Sequence, residues 1–214
     1  MLAERHAAPA PPPDPVAFAA IYAAELAFVW RSVRRLGVPA RDLPDVTHDV
    51  FVTVFRNLWK YDATRELRPW LFGVLMRVVS DHMRLARHRH EALDTPPDVA
   101  DRAPRPDERA ETSERWHLVD RALATIDLPH RAVLVMHDFE GHRGPTIART
   151  LGIRPKTVYS RLRTARRRFL AATPSVHADG ASHPSPADAL QRLIEPIDGA
   201  LDRGVRRAGR STGA

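Results

Sequence analysis

The sequence of 214 residues contains no cysteine. Disulfide bonds, thiolate metal ligands and thiol nucleophiles are therefore excluded. No uninterrupted apolar run approaches the roughly 18 residues that a membrane span requires, and the N-terminus has an early acidic residue and no apolar segment of the kind that a secretory signal carries. These absences predict a cytoplasmic protein without membrane insertion.

Alternation of apolar and polar residues, which is typical of half-buried strands, is also missing, and no segment is repeated. Instead, apolar residues recur at three- and four-residue steps along most of the chain, which predicts an all-α fold. A hydrophobic content of 43% is enough to build cores. The length suits one medium domain or two small ones.

Acidic residues are in the minority, with 26 Asp and Glu against 33 Lys and Arg, which gives a formal charge of +7. Arginine is far more frequent than lysine. A strongly basic chain suits a polyanionic partner such as nucleic acid or an acidic membrane surface.

Composition divides the chain into five parts. Two helical domains are separated by a Pro-rich stretch that is net acidic and has almost nothing to bury, which is typical of a flexible linker. The parts are an Ala/Pro arm at 1–15 that is predicted to be disordered, a helical domain at 16–90, the linker at 91–112, a helical domain at 113–172, and a linker with a C-terminal extension and one short helix at 173–214.

The domain 16–90 is predicted to contain three helices. Gly37 ends the first helix, Asp42 is expected to cap the second, and Pro69 stands in the first turn of the third. The inward-facing residues form three interlocking stripes, namely Phe18, Ile21, Tyr22, Val29, Trp30, Val33 and Leu36; Leu43, Val46, Val50, Val54, Phe55 and Leu58; and Leu71, Val74, Leu75 and Val78 with His82 or Leu85.

The domain 113–172 ends in a short helix, a turn at Gly152 and a longer basic helix, a pattern that predicts a helix-turn-helix. In this motif the second helix enters the major groove by its N-terminal turns, and flanking cations neutralise phosphates. A solvated basic face is the plainer interpretation. The candidate groove residues are Arg154, Lys156, Thr157, Tyr159, Ser160, Arg161 and Arg163, and the candidate phosphate-binding residues are Arg166, Arg167 and Arg168.

The first domain has two different chemical patterns. Its second helix carries acidic residues, which match a basic protein surface better than DNA. Its third helix and the preceding loop interleave Tyr61, Trp70 and Phe72 with arginines, as single-stranded nucleic acid requires for base stacking and backbone neutralisation. Taken alone, Trp70 and Phe72 are also consistent with core residues.

Together the two domains resemble a bacterial RNA polymerase sigma factor of the extracytoplasmic-function (ECF, group IV) type. DLPDVTHDVFVTVFRNLWKYD resembles regions 2.1–2.2 of that family, and RPWLFGVLMRVVSDHMRLARHR resembles regions 2.3–2.4. VDRALATIDLPHRAVLVMHDFEGHRGPTIARTLGIRPKTVYSRLRTARRRF resembles region 4. The resemblance covers about residues 16–172.

The resemblance implies an initiation factor without catalytic residues, cofactor or metal. Its partners would be promoter DNA and core RNA polymerase, through the beta-prime clamp helices and the beta flap, and an anti-sigma factor is a further candidate. Polymerase contacts would come from Asp42, Asp45, His48, Asp49 and Phe51. The melted minus-ten element would be captured by Tyr61, Arg65, Arg68, Trp70, Arg77, Asp81, His82, Arg84 and Arg87. The residues at Lys156 to Arg163 would read the duplex minus-thirty-five element.

Three positions depart from the family pattern. Arg77 stands where an asparagine often helps to select the flipped base, Pro145 lies where acidic or tyrosine residues are usual, and Tyr159 replaces a common lysine. Each departure leaves the DNA preference open.

Two other functions fit parts of the sequence. The doublets His48-Asp49 and His137-Asp138 would suit a metal-dependent phosphohydrolase, but they lie in separate domains and neither has further ligands at a defined spacing. A stand-alone helix-turn-helix regulator would use residues 113–172 alone, and would leave the acidic helix and the interleaved aromatics without a role.

The extension beyond residue 172 contains one more amphipathic pattern, with Pro196 expected to bend it. Two interpretations stay open, a marginal helix that folds back on the second domain or a regulatory segment that masks the DNA-binding surface. Its apolar face comprises Leu190, Leu193, Ile194, Ile197 and Leu201.

Overall fold

The structure is a computed structural model that describes residues 14–93 and 110–173, with side chains described at 14–88 and 117–173. Every regular element in these two stretches is helical, which confirms the all-α prediction. The predicted Ala/Pro arm, the centre of the linker and the C-terminal extension lie outside the described residues.

Three helices form the N-terminal module: α1 (Pro15–Arg35), α2 (Leu43–Asn57) and α3 (Leu67–Leu93). Short 3-10 turns, Ala40–Asp42 and Leu58–Lys60, precede and follow α2. Asp14 caps α1, since its side chain accepts a hydrogen bond from the backbone N–H of Val16 at 2.9 Å. Gly37, with a positive φ of 95°, redirects the chain after α1.

The interlocking stripes of these helices are largely buried, as the periodicity predicts. Pro69 lies in the first turn of α3, as predicted. Two details differ. Asp42 makes no capping bond and has a helical backbone conformation, and Tyr22, Phe55 and Leu85 are exposed. The fully buried side chains at the centre of the module include Val29, Val33, Val50, Val54, Leu71, Phe72, Leu75 and Val79.

The C-terminal module contains α4 (Ala110–Ala124), α5 (Leu128–Leu134), α6 (Gly144–Leu151) and α7 (Pro155–Ala171). A single π-helical turn, Val135–Phe139, continues α5. The residues beside the predicted linker are helical as well, because α3 continues to Leu93 and α4 begins at Ala110. The stretch 91–112 is therefore shorter as a linker than its composition indicates.

The two modules pack against each other, so that their buried residues form one continuous apolar cluster. Helix α3 lies on α6. Polar contacts flank this packing: Arg131 donates to the backbone carbonyl of Leu36 at 2.7 Å, Arg35 pairs with Glu140 at 2.9 Å, and Arg34 pairs with Asp120. Helix α1 is thereby tied to the C-terminal module at three points.

Helix α1 is long and apolar enough to cross a membrane by length and composition alone. Its sequence contains no uninterrupted apolar run of that length because Glu25 and Arg31 divide it. The inner side of its C-terminal half is packed into the protein core through Phe28, Val29 and Val33. One such helix near an N-terminus is weak support for membrane insertion, since core helices meet the same criteria.

Candidate nucleic-acid interface

The turn between α6 and α7 is specified by three residues. Gly152 ends α6 in the left-handed conformation, at φ 63° and ψ 34°, which costs a glycine little. The following N–H of Ile153 donates to the carbonyl of Ala148 at 3.0 Å, and Pro155 occupies the first turn of α7. The local sequence therefore fixes where the recognition helix begins.

Helix α7 buries one stripe, made of Val158, Leu162, Ala165 and Phe169, against the rest of its module. No acidic residue occurs in α7, so its remaining surface is strongly cationic. The predicted groove residues divide into exposed side chains, namely Arg154, Lys156, Tyr159, Ser160 and Arg163, and half-buried ones, namely Thr157 and Arg161. The helix therefore presents a cationic face over its first turns, as major-groove entry requires.

Arg166 is bound within the protein. Its guanidinium donates to both carboxylate oxygens of Asp138, at 2.8 Å and 2.5 Å, and His137 Nδ1 lies 2.7 Å from the same carboxylate. Burial opposes ionisation of Asp138, but the hydrogen bonds from Arg166 and His137 outweigh it and lower the pKa of Asp138. Hydrogen bonding to Asp138 also raises the pKa of Arg166.

This ion pair fixes α7 against the π-helical turn, so Arg166 stabilises the position of the recognition helix. Arg168 is similarly paired with Asp127 at 2.5 Å. Three arginines are assigned to phosphate binding by the sequence. Arg166 and Arg168 have carboxylate partners, whereas Arg167 is exposed and has no ion-pair partner among the described residues.

Tyr159, one of the departures from the family pattern, lies against Gly144, the residue before a second departure, Pro145. Gly144, the first residue of α6, is buried, and a Cβ atom built there would lie 2.6 Å from the hydroxyl oxygen of Tyr159. A side chain larger than hydrogen at position 144 would therefore displace the Tyr159 ring. The glycine before Pro145 and the tyrosine in α7 form one contact between the two helices of the motif.

The predicted acidic face of α2 is present in the structure, with Asp45, His48 and Asp49 exposed. Asp42 is half-buried, and its carboxylate lies 3.3 Å from Nε2 of His82. The sequence assigned these two residues to different partners, whereas the structure brings them together.

Phe51 does not belong to the exposed face. It is buried, with its ring centroid 4.6 Å from that of Tyr22 and 6.4 Å from that of Phe18. The residue supports α2 from within and is not accessible to a partner in this arrangement. The physical reason is its spacing, since Phe51 follows Val50 on the inward side of the helix.

The loop before α3 holds an aromatic pair. Tyr61 and Trp70 have ring centroids 5.2 Å apart, and the Tyr61 hydroxyl donates to the carbonyl of Arg65 at 2.6 Å. Trp59 is not among the DNA-binding residues that the sequence predicts. It is 49% exposed and lies under the Lys60 ammonium. Its position one residue before that lysine could have identified it, because aromatics next to cations are typical of single-strand binding.

The predicted minus-ten residues of α3 and its loop separate into groups. Arg77, Asp81, Arg84 and Arg87 are exposed, with Arg84 paired to Asp81 at 3.0 Å. Arg65 pairs with Asp62 in the loop, and Arg68 is turned toward α1, where it pairs with Glu25. Trp70 is half-buried, and Phe72 is a core residue. His82 faces Asp42.

The described residues contain no group of three or more His, Asp or Glu side chains arranged to hold a metal ion. The carboxylate of the doublet His137-Asp138 is already bound by Arg166. The doublet His48-Asp49 is exposed on α2. Neither arrangement provides a phosphohydrolase centre in the described part of the chain.

Comparison with known families shows two matches in chain order. Residues 21–89 match the family Sigma-70 region 2, and residues 116–169 match the family Sigma-70, region 4. The first match lies on the N-terminal module and the second on the C-terminal module.

Curated relatives cover both modules. The ECF RNA polymerase sigma factor SigL of Mycobacterium tuberculosis is 32% identical over 151 residues, spanning 68% of this chain and 82% of SigL. The RNA polymerase sigma factor NccH of Alcaligenes xylosoxydans xylosoxydans is 29% identical over 151 residues, spanning 66% of this chain and 78% of NccH.

Two solved structures share the fold. The sigma factor RpoE of Bartonella quintana, crystallised with the anti-sigma factor NepR, superposes with a TM-score of 0.64 at 17% identity, covering 77% of this chain and 99% of RpoE. CnrH in complex with the cytosolic domain of CnrY gives a TM-score of 0.55 at 26% identity, covering 76% of this chain and 90% of CnrH.

Proposed function

Because this chain belongs to the extracytoplasmic-function sigma factors, which direct RNA polymerase to promoters, we propose that its two modules divide promoter recognition between melted and duplex DNA. The observation that carries this proposal is the order of the two sigma-70 regions on two structural modules, the second of which presents a cationic recognition helix. The capture of melted DNA is assigned to the predicted domain 16–90, and the reading of duplex DNA to the predicted domain 113–172.

Duplex reading of the minus-thirty-five element is assigned to the first turns of α7. Lys156, Ser160 and Arg163 lie on one exposed row, and Thr157 and Arg161 lie on the adjoining row. Arginine can bond O6 and N7 of guanine together, and each such pair contributes about 1–3 kcal/mol of discrimination. The exposed guanidinium groups are therefore the main candidates for sequence reading.

Capture of the melted minus-ten element is assigned to the loop before α3 and to the outer face of that helix. The tilted ring pair of Tyr61 and Trp70 and the exposed ring of Trp59 provide surfaces for unpaired bases. The exposed cations Arg77, Arg84 and Arg87 extend along α3 as a track for the phosphate backbone. Extruding one base costs a few kcal/mol, which these contacts must offset.

Docking on core RNA polymerase is assigned to the acidic face of α2, at Asp45, His48 and Asp49, against the beta-prime clamp helices. The C-terminal module would rest on the beta flap. Phe51 supports this face from inside. In this role the protein acts in the cytoplasm, carries no catalytic residue and requires no cofactor. An anti-sigma factor is a further candidate partner, since the structural neighbour RpoE was crystallised with the anti-sigma factor NepR.

The proposal is tested by run-off transcription from a random-promoter library with core RNA polymerase, with and without the protein. New start sites that share two spaced sequence elements are the expected result. Asp45→Arg combined with Asp49→Arg should abolish them by removing the docking face, whereas duplex binding should persist. Unchanged start sites together with retained duplex binding would instead identify a stand-alone helix-turn-helix regulator.

A further inference from the structure

A shallow groove of about 450 Å³ runs along one side of the recognition helix α7, next to its buried stripe. Apolar atoms dominate its lining: Tyr159 is 56% exposed at one end, Leu162 forms the floor, and Leu170 lies at the other end. Three arginines, Arg163, Arg166 and Arg167, border it. An apolar strip between cations is suited to an amphipathic segment with acidic residues on its flank.

The chain leaves the described structure beside this groove. Thr173 is buried, and its N–H donates to the carbonyl of Leu170 at 3.1 Å while its hydroxyl donates to the carbonyl of Phe169 at 3.1 Å. These bonds hold the end of α7 at the Leu170 end of the groove. The residues that follow begin next to the site.

The sequence beyond Thr173 contains a segment with the matching chemistry. Its apolar residues at 190, 193, 194, 197 and 201 fall on one helical face. Four acidic residues accompany a single arginine between 187 and 202, and helical spacing places the acids on one flank of that face. Helix α7, by contrast, carries six cations and no acid. The two partners are therefore complementary in both apolar pattern and charge.

The spacer between the two is long enough for contact at any point of the groove. Helix α7 has 17 residues, which corresponds to about 25 Å at about 1.5 Å per residue. Residues 174–186 span up to roughly 40 Å when extended. The segment can therefore fold back along α7 in either direction.

We propose that residues 187–202 dock in the groove on α7 and compete with duplex DNA for the recognition helix. The docked segment would cover Tyr159 and bring its carboxylates close to Arg163 and Arg167. Both arginines belong to the surface assigned above to DNA. The competitive part of this inference rests on the proposed function, whereas the docking itself does not.

Hydroxyl-radical footprinting of the full-length protein measures docking directly, because the reactivity of Tyr159 and Leu170 reports access to the groove. Replacing Leu193→Asp and Ile197→Asp removes the apolar face of the segment. The matched control is Gln191→Asp with Arg192→Gln, which changes the net charge equally but lies off that face. All four positions lie outside the described residues, and circular dichroism of each variant verifies that the helical fold is retained.

Low reactivity of Tyr159 in the wild type and in the control, and high reactivity in the double aspartate variant, are expected. Equal reactivity in all three proteins would overturn the proposal. Protection that disappears on dilution would overturn it in favour of a second copy of the chain as the occupant.

Affinity for a random-sequence duplex, measured by fluorescence anisotropy at constant salt, tests the competition. If the docked state is about 90% populated, releasing the segment should tighten binding about tenfold, since apparent affinity scales with the competent fraction. Release of Tyr159 without tighter duplex binding would reject competition and retain docking. Neither measurement contains polymerase, so failure of the transcription assay would count against the proposed function alone.

Discussion

The ion pair between Arg35 and Glu140 joins the two modules and makes a sharp prediction about stability. The two side chains are 1% and 6% exposed, and the guanidinium Nη1 lies 2.9 Å from the carboxylate Oε1. The guanidinium also stacks over the ring of Phe139, 4.6 Å from its centroid. Glu140→Ala would leave the buried arginine without this carboxylate.

Breaking a buried pair by removing one partner costs about 3–5 kcal/mol, because the remaining charge stays desolvated. Cation–π attraction to Phe139 is present in both proteins and does not change this difference. We therefore expect Glu140→Ala to lower the free energy of unfolding by about 3–5 kcal/mol. Replacing both residues with methionine should cost far less, since similar-sized apolar pairs are often neutral in such sites.

Urea unfolding followed by far-ultraviolet circular dichroism measures these differences. Asp120→Ala is the matched control, because its pair with Arg34 also joins the modules but the two side chains are 28% and 32% exposed. A partly exposed pair of this kind contributes about 0–1 kcal/mol. We expect the burial of the ion pair to set how much stability is lost. Equal losses of unfolding free energy for Glu140→Ala and Asp120→Ala would refute this reasoning, because both pairs join the modules but only one is buried.

Three further predictions concern the helix-turn-helix module. Gly144→Ala should move the Tyr159 ring toward solvent and change stability by only about 0.5 kcal/mol, because the new Cβ meets the terminal hydroxyl of a ring that is 56% exposed; a much larger loss in thermal unfolding would show that the ring is held in place. Arg161→Ala should weaken binding to promoter duplex selectively, whereas Arg167→Ala should weaken binding to all duplexes and reduce the salt slope by about one; equal effects of both changes on specific and random duplex would contradict the assignment. Asp138 has a lowered pKa in the folded protein, so its stabilising contribution is complete above its unfolded pKa of 3.8 and is lost as pH falls through the folded value. Asp138→Asn should therefore flatten the acid limb of the stability curve, and an unaltered limb would exclude this carboxylate as its source.

Local features of the fold follow directly from the sequence. The helical stripes, the turn at Gly152 and the proline at the start of α7 depend on neighbours within a few residues, and helical periodicity describes such neighbours well. The cationic character of α7 is equally local, because the helix contains six cations and no acidic residue.

Features that depend on distant partners did not follow. Arg166 resembles its neighbours in sequence, and only the folded chain shows that it is bound by Asp138, 28 residues earlier. Asp42 has the composition of a cap, yet its carboxylate lies near His82 on another helix. The sequence assigned each of these side chains a role from its type, whereas the structure assigns the role by its partner.

The role of Gly37 depends both on its neighbours in the sequence and on a distant residue. It follows α1 with a φ of 95°, and the sequence alone predicts only that it ends the helix. In the structure a Cβ at this position would lie 1.9 Å from Nη1 of Arg131, the group that donates to the carbonyl of Leu36. Because Gly37 has no side chain, Arg131 of the other module can approach its backbone. Burial lowers the pKa of Arg131. Its hydrogen bonds to the carbonyls of Leu36 and Ile126 compensate for the loss of solvation. A glycine that only ended a helix would not need free space beside its Cα atom. At Gly37 that space is occupied by Arg131, so this turn is part of the contact between the modules.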